Sequence, residues 1–138
     1  MPASNGTLTG EELLARFLDT TLPAEQFHHE QHAHVAWLLV CEHGMPAALG
    51  EFTTAIKRFA AAKGAHALYH QTITWAFLLL IAERQAGCSA ANWEQFAAAN
   101  ADLLVWKPSI LSRYYSKELL MSELARRTFV MPDVITRS

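Results

Sequence analysis

Glycine and proline cut this chain into pieces of helical length, and that punctuation constrains the fold more than any other feature. Pro23, the Gly44-Met45-Pro46 triplet, Gly64 and Gly87 stand one long helix apart. Proline suits the first turn of a helix, where its missing N–H is not needed, and glycine suits the left-handed cap that ends one. Between the breaks the apolar residues recur with helical spacing. Leu49, Phe52, Ile56, Phe59 and Ala60 fall at i, i+3, i+7, i+10 and i+11. No segment carries a defensible strand pattern.

The boundaries follow from local chemistry. Thr9 and Glu12 have capping-box spacing, which predicts a helix from Gly10 to Asp19 with Leu13, Leu14, Phe17 and Leu18 buried. A second helix is expected from Ala24 to His43, a third from Pro46 to Gly64, and a fourth from Ala65 to Gln85, stopping at Gly87. A fifth runs through "NWEQFAAAN", capped by Ser89 or its neighbours. A helical turn or two in "ADLLVWK" and short helices over 109–115 and 122–127 follow. Residues 1–8 are expected to be disordered and 129–138 to form an extended tail. The connections are short, so neighbouring helices should be antiparallel. The expectation is an all-α fold, an antiparallel bundle of about four main helices with short C-terminal ones. At 138 residues, 51% of hydrophobic type, the chain suits a single helical domain over 1–138 with one core.

Several function classes are set aside. The formal charge is −2, and basic residues never cluster beyond the pairs at 57–58 and 126–127. A nucleic-acid footprint needs a concentrated basic face, so no nucleic-acid partner is expected. The most apolar run, "AFLLLIA" at 76–82, is too short to span a bilayer, so no membrane partner is expected. The N-terminus has neither the basic start nor the long apolar stretch of a signal peptide, and a cytoplasmic location is expected. Cys41 and Cys88 have no metal-binding spacing and read as small apolar fillers. Phosphate loops, dinucleotide fingerprints and Ser–His–Asp order are missing too.

What stands out is "FHHEQHAHVAW", residues 27–37, which holds four of the seven histidines. Steps of about 100° per residue put His29, His32, Ala36, Leu39 and His43 on one helical face, with His28 at its margin. Glu30, Gln31 and His34 fall on the other side. In the fourth segment the same projection aligns His70 with Ile73, Thr74, Phe77 and Ile81, with His66 beside them. Two helices carrying inward histidines point to one shared site. Three imidazoles in a bundle core suit a divalent metal such as Zn²⁺, Ni²⁺, Fe²⁺ or Cu²⁺, with a position left for water or a ligand. "HEQH" is not the metalloprotease HExxH, because its second histidine comes one position early. The rival reading is that the histidines are hydrogen-bonded core or surface residues.

Three further stretches join this one. Phe27, His29 and His32, then Tyr69, His70, Thr72 and Thr74, then Tyr114, Tyr115 and Ser116, then Ala125, Arg126, Phe129, Val130, Pro132 and Asp133 form a pattern. It resembles a family of small, uncharacterised bacterial all-helical proteins with aromatic-x-His-x-x-His, Tyr-His-Glu-Thr-x-Thr and Tyr-Tyr-Ser motifs. The resemblance spans most of the chain after residue 26 and brings no established activity. It selects His29, His32 and His70 over the other histidines. The family's glutamate after the histidine is Gln71 here, and a glutamine takes up no proton at useful pH.

The metal set expected is therefore His29, His32 and His70, with Thr74 and Gln71 supporting it. Glu30, Tyr69 and Tyr115 are the residues weighed for acid–base work. Whether His28, His34, His43 or His66 joins stays open. Such a site would support metal-dependent hydrolysis, or oxygen chemistry with iron, on a small molecule. The alternative is a non-catalytic module whose metal-free, histidine-lined pocket binds a small molecule or a partner. A purely structural or dimerising bundle, and hence a homo-oligomer, is the third reading. Arg126 and Asp133 read as a structural ion pair, with an anchor for an anionic ligand as the alternative, and the four tryptophans as core.

Overall fold

Thr9 Oγ1 accepts the Glu12 N–H at 3.1 Å while the Glu12 carboxylate accepts the Thr9 N–H at 3.0 Å, so the capping box starts the first helix where its spacing predicts. This helix, α1 (Gly10–Leu18), buries Leu13 and Phe17. The computed structural model describes residues 8–107 and 109–134. The remaining helices there are α2 (His29–His43), α3 (Ala47–Ala62), α4 (Gln71–Cys88), α5 (Trp93–Ala99), α6 (Lys117–Leu120) and α7 (Glu123–Arg127). Four 3-10 turns intervene, at Ala24–Gln26, His66–Leu68, Ala101–Leu103 and Ile110–Arg113. No strand occurs among the described residues, and the class is all-α. The disorder expected over 1–8 and the end of the expected tail fall, at 1–7 and 135–138, outside the described residues.

The second helix is the centre of the bundle and packs against α1, α3 and α4. It buries Ala33, Val35, Ala36, Trp37, Leu39 and Val40, which cover more than half of its circumference. A helix enclosed on three sides needs no single polar face, which is why its pattern is apolar over most of its circumference. Phe17, Phe27, Phe52 and Phe59 form the aromatic heart beneath α1, with ring centroids 4.8–6.0 Å apart along the contacts Phe17–Phe27, Phe17–Phe52, Phe17–Phe59 and Phe27–Phe59.

Two of the long helices start later than the apolar pattern predicts, and a histidine stands at both starts. The expected helix from Ala24 is a short 3-10 turn; the chain then extends through His28, and α2 begins at His29. The His28 N–H donates to Gln31 Oε1 at 2.9 Å. The expected helix from Ala65 is likewise a 3-10 turn followed by extended Tyr69 and His70. His70 is the N-cap of α4, its Nδ1 accepting the Ile73 N–H at 3.1 Å. Periodicity passes through such breaks because apolar residues in the connector still pack on the core.

Behind these helices the C-terminal segment is tied down by polar side chains. Thr72, fully buried, donates to the Thr128 carbonyl at 2.8 Å and accepts the Val130 N–H at 3.1 Å. Tyr115 donates to the Val130 carbonyl at 2.8 Å. Asp133 accepts from the Ser116 N–H and hydroxyl at 2.7 and 2.6 Å. Ser116 also caps α6, as Ser122 caps α7. Arg126 does not pair with Asp133. It reaches Glu123 and donates to the Ala67 carbonyl at 2.6 Å, which joins α7 to the turn before α4. Cys41 and Cys88 are both exposed, not apolar fillers: each falls on the outward side of its helix.

Candidate functional site

The short connections make α2 and α4 run parallel to one another and antiparallel to α3. Between the first halves of α2 and α4 and the second half of α3 lies a cavity of about 810 Å³. Its walls are Ala33 and Ala36 of α2, Phe52, Ile56 and Phe59 of α3, and Ile73, Phe77, Leu78 and Ile81 of α4, with Trp106 at one side. The volume falls in the range of small-molecule sites, and the lining has their character, apolar with few polar groups. Those polar groups are His28, His29, His32, Tyr69, His70, Thr74 and Lys63. The helical projection therefore found the right face of both helices.

The histidines that meet here do different jobs. His70 engages both ring nitrogens. Nδ1 caps α4, and Nε2 lies 2.8 Å from the Leu120 carbonyl, which can only accept, so Nε2 carries the hydrogen. His29 donates from Nε2 to the Leu103 carbonyl at 2.8 Å, wedged between Phe77 and Trp106. Both rings tie the cavity wall to the C-terminal third of the chain.

His32 is different. Its ring stacks on Phe27 with centroids 3.9 Å apart, and neither nitrogen has a hydrogen-bond partner among the described residues. No fully enclosed polar side-chain atom there lacks a partner, so the His32 nitrogens open onto the cavity they line. Burial accordingly pushes its pKa down to about 4, with the neighbouring His29 and His28 imidazoles adding to the effect. At neutral pH the cavity thus contains an uncharged imidazole that offers one donor and one acceptor.

His29, His32 and His70 share one cavity, but their nitrogens do not form a ligand set. Ligation by His70 would remove either the cap of α4 or the bond to Leu120. Among the described residues no three His, Cys, Asp or Glu side chains are placed to hold one ion. The expected three-histidine centre is therefore not assembled by this geometry. The Gln71 side chain makes no hydrogen bond to the His70 ring; it accepts one from the Tyr69 hydroxyl. Thr74 lines the cavity near that hydroxyl, whose pKa burial raises while Thr74 and Thr53 hold it back. Glu30 is exposed, and Tyr115 is a buried tie to the tail, so neither belongs to the cavity. His34 stacks flat on Trp93, centroids 4.3 Å apart, and burial lowers its pKa. His43 and His66 do not line the cavity; His28 does.

One supporting group escaped the sequence reading. Arg84 clamps Asp102 through two hydrogen bonds of 3.0 and 2.9 Å and adds one of 2.9 Å to Asn100. That fixes the turn whose Leu103 carbonyl holds His29. The guanidinium keeps the Asp102 carboxyl below the usual range. A separation of 18 residues across a loop leaves no local signal by which to find the pair. No protein-family model matches the chain, and no curated protein and no solved structure matches it either.

Proposed function

We propose that the protein binds an apolar small molecule in the cavity between α2, α3 and α4, with His32 hydrogen-bonding its polar group. One observation carries this reading. His32 lines the cavity uncharged and with no protein hydrogen-bond partner, whereas His29 and His70 on the same wall are bonded to the Leu103 and Leu120 carbonyls. A ligand that displaces water from the cavity must replace its hydrogen bond to His32 or leave it unmade at a cost of about 1–3 kcal/mol, which favours a ligand with a polar group there. The rigid ties on His29 and His70 keep the pocket preformed, which lowers the entropy lost on binding.

The test is titration of tag-free protein with the neutral environment-sensitive dye Nile red. Saturable one-to-one binding is expected, weakened at least severalfold by Ala60→Trp, which places a large ring into the cavity. Circular dichroism checks that the variant keeps its helices. Absence of saturable binding, or binding indifferent to Ala60→Trp, rejects the reading.

A further inference from the structure

We infer that the occupant of this cavity is an amphipathic anion, an alkyl or aryl carboxylate whose head sits at the Lys63 end and whose apolar body fills the space between α2, α3 and α4. This rests on the binding reading above and names its ligand class. The argument is electrostatic. No Asp or Glu lines the cavity, and Lys63 is the one lining residue with a formal charge. Lys63 makes no ion pair among the described residues; its Nζ stands 5.3 Å from the Phe59 ring centroid, at the cavity's edge.

The helices add to this field. The first turns of α2 and α4 both border the cavity, through His28 and His29 and through His70 and Ile73. Each helix presents its positive dipole end to the cavity, although the Ile73 N–H of α4 is already taken by His70, and such ends favour negative charge. The third helix brings its negative end to the same place, but its last carbonyls are bonded to the N–H groups of Lys63, Gly64 and Ala65. Within hydrogen-bonding reach of the cavity, unpartnered His32 supplies a donor to the head group. Beyond it the walls are Ala36, Phe52, Leu78 and Ile81, which suit an apolar chain and no second charge. A cationic amphiphile would meet Lys63 and two helix N-termini, and a neutral one would leave them unused.

Isothermal titration with decanoate, decanol and decylamine, three chains differing only in the head, decides the matter. Decanoate is expected to bind about tenfold more tightly than decanol, with decylamine weakest. Lys63→Gln, a change of a partly exposed side chain, should remove most of the difference between decanoate and decanol. Equal binding of decanoate and decanol, or a preference that survives Lys63→Gln, overturns the inference while leaving the apolar pocket in place. Binding of none of the three, with no Nile red binding, removes the pocket reading itself.

Discussion

Acid should destabilise this protein through His32 in particular. The folded state holds the ring neutral, with a pKa of about 4 against the ordinary 6.5 it regains on unfolding. Above the unfolded value neither state binds the proton, and the contribution to stability is complete. As pH falls from 6.5 toward about 4, the unfolded chain takes up a proton that the folded chain refuses, so stability is lost. Below that both states are protonated and the loss levels off. At about 1.36 kcal/mol per tenfold difference in proton affinity, the whole loss is on the order of 3 kcal/mol. His34 acts in the same direction, because burial lowers its pKa too. Asp19, Asp102 and Asp133, all held below their ordinary value, contribute only further down. The comparison must therefore isolate His32. Urea unfolding of wild type and His32→Phe, which keeps an aromatic ring against Phe27, should be measured between about pH 7.5 and about pH 4.5. The variant's advantage should widen toward acid by roughly 2–3 kcal/mol. A gap constant to within about 0.5 kcal/mol would mean that His32 is solvated or partnered when folded, and the argument for a receptive imidazole would fall with it.

Other expectations are structural. His70→Ala should cost about 1–3 kcal/mol in chemical unfolding, because it removes both the α4 cap and the bond to Leu120. It should leave the metal content of tag-free protein unchanged in plasma mass spectrometry; loss of stoichiometric metal would reinstate a ligating His70. Thr72→Val should lower stability by about 1–2 kcal/mol and speed proteolysis near residues 128–134, since one hydroxyl holds both Thr128 and Val130. Arg84→Met should cost about 1–2 kcal/mol and broaden the His29 ring signals in NMR as the Leu103 turn loosens. Thr20 is a β-branched residue at φ 66°, so Thr20→Gly should raise stability by about 0.5–1 kcal/mol despite glycine's added chain entropy.

Much of the motif pattern that marks this sequence turns out to hold the C-terminal segment in place. Thr72, Tyr115, Ser116, Val130 and Asp133 all bond across that seam, and His70 and Arg126 reinforce it from the side of α4 and α7. A residue pattern of this kind announces that polar groups meet. It does not distinguish a ligand set from a set of ties, because the same imidazole can cap a helix, bond a carbonyl or face a cavity. Which of these it does is decided by the chain segment that arrives opposite it, often from 50 or more residues away: 50 for His70, 74 for His29.

By itself the sequence determined the class and the breaks between the long helices, because capping chemistry, proline, glycine and helical periodicity act within a few residues. Thr9 with Glu12 and the apolar spacing of α3 are instances. It also placed His29, His32 and His70 toward one interior. The late starts of α2 and α4 have local partners, Gln31 three residues after His28 and His70 three before Ile73, but only the tertiary structure decided that the other nitrogen of His70 meets the Leu120 carbonyl. The tertiary structure likewise left the His32 ring facing the cavity while His29 and His70 found backbone carbonyls. Hydrogen-bond satisfaction is a property of everything packed around a group, and no stretch of eleven residues contains that information.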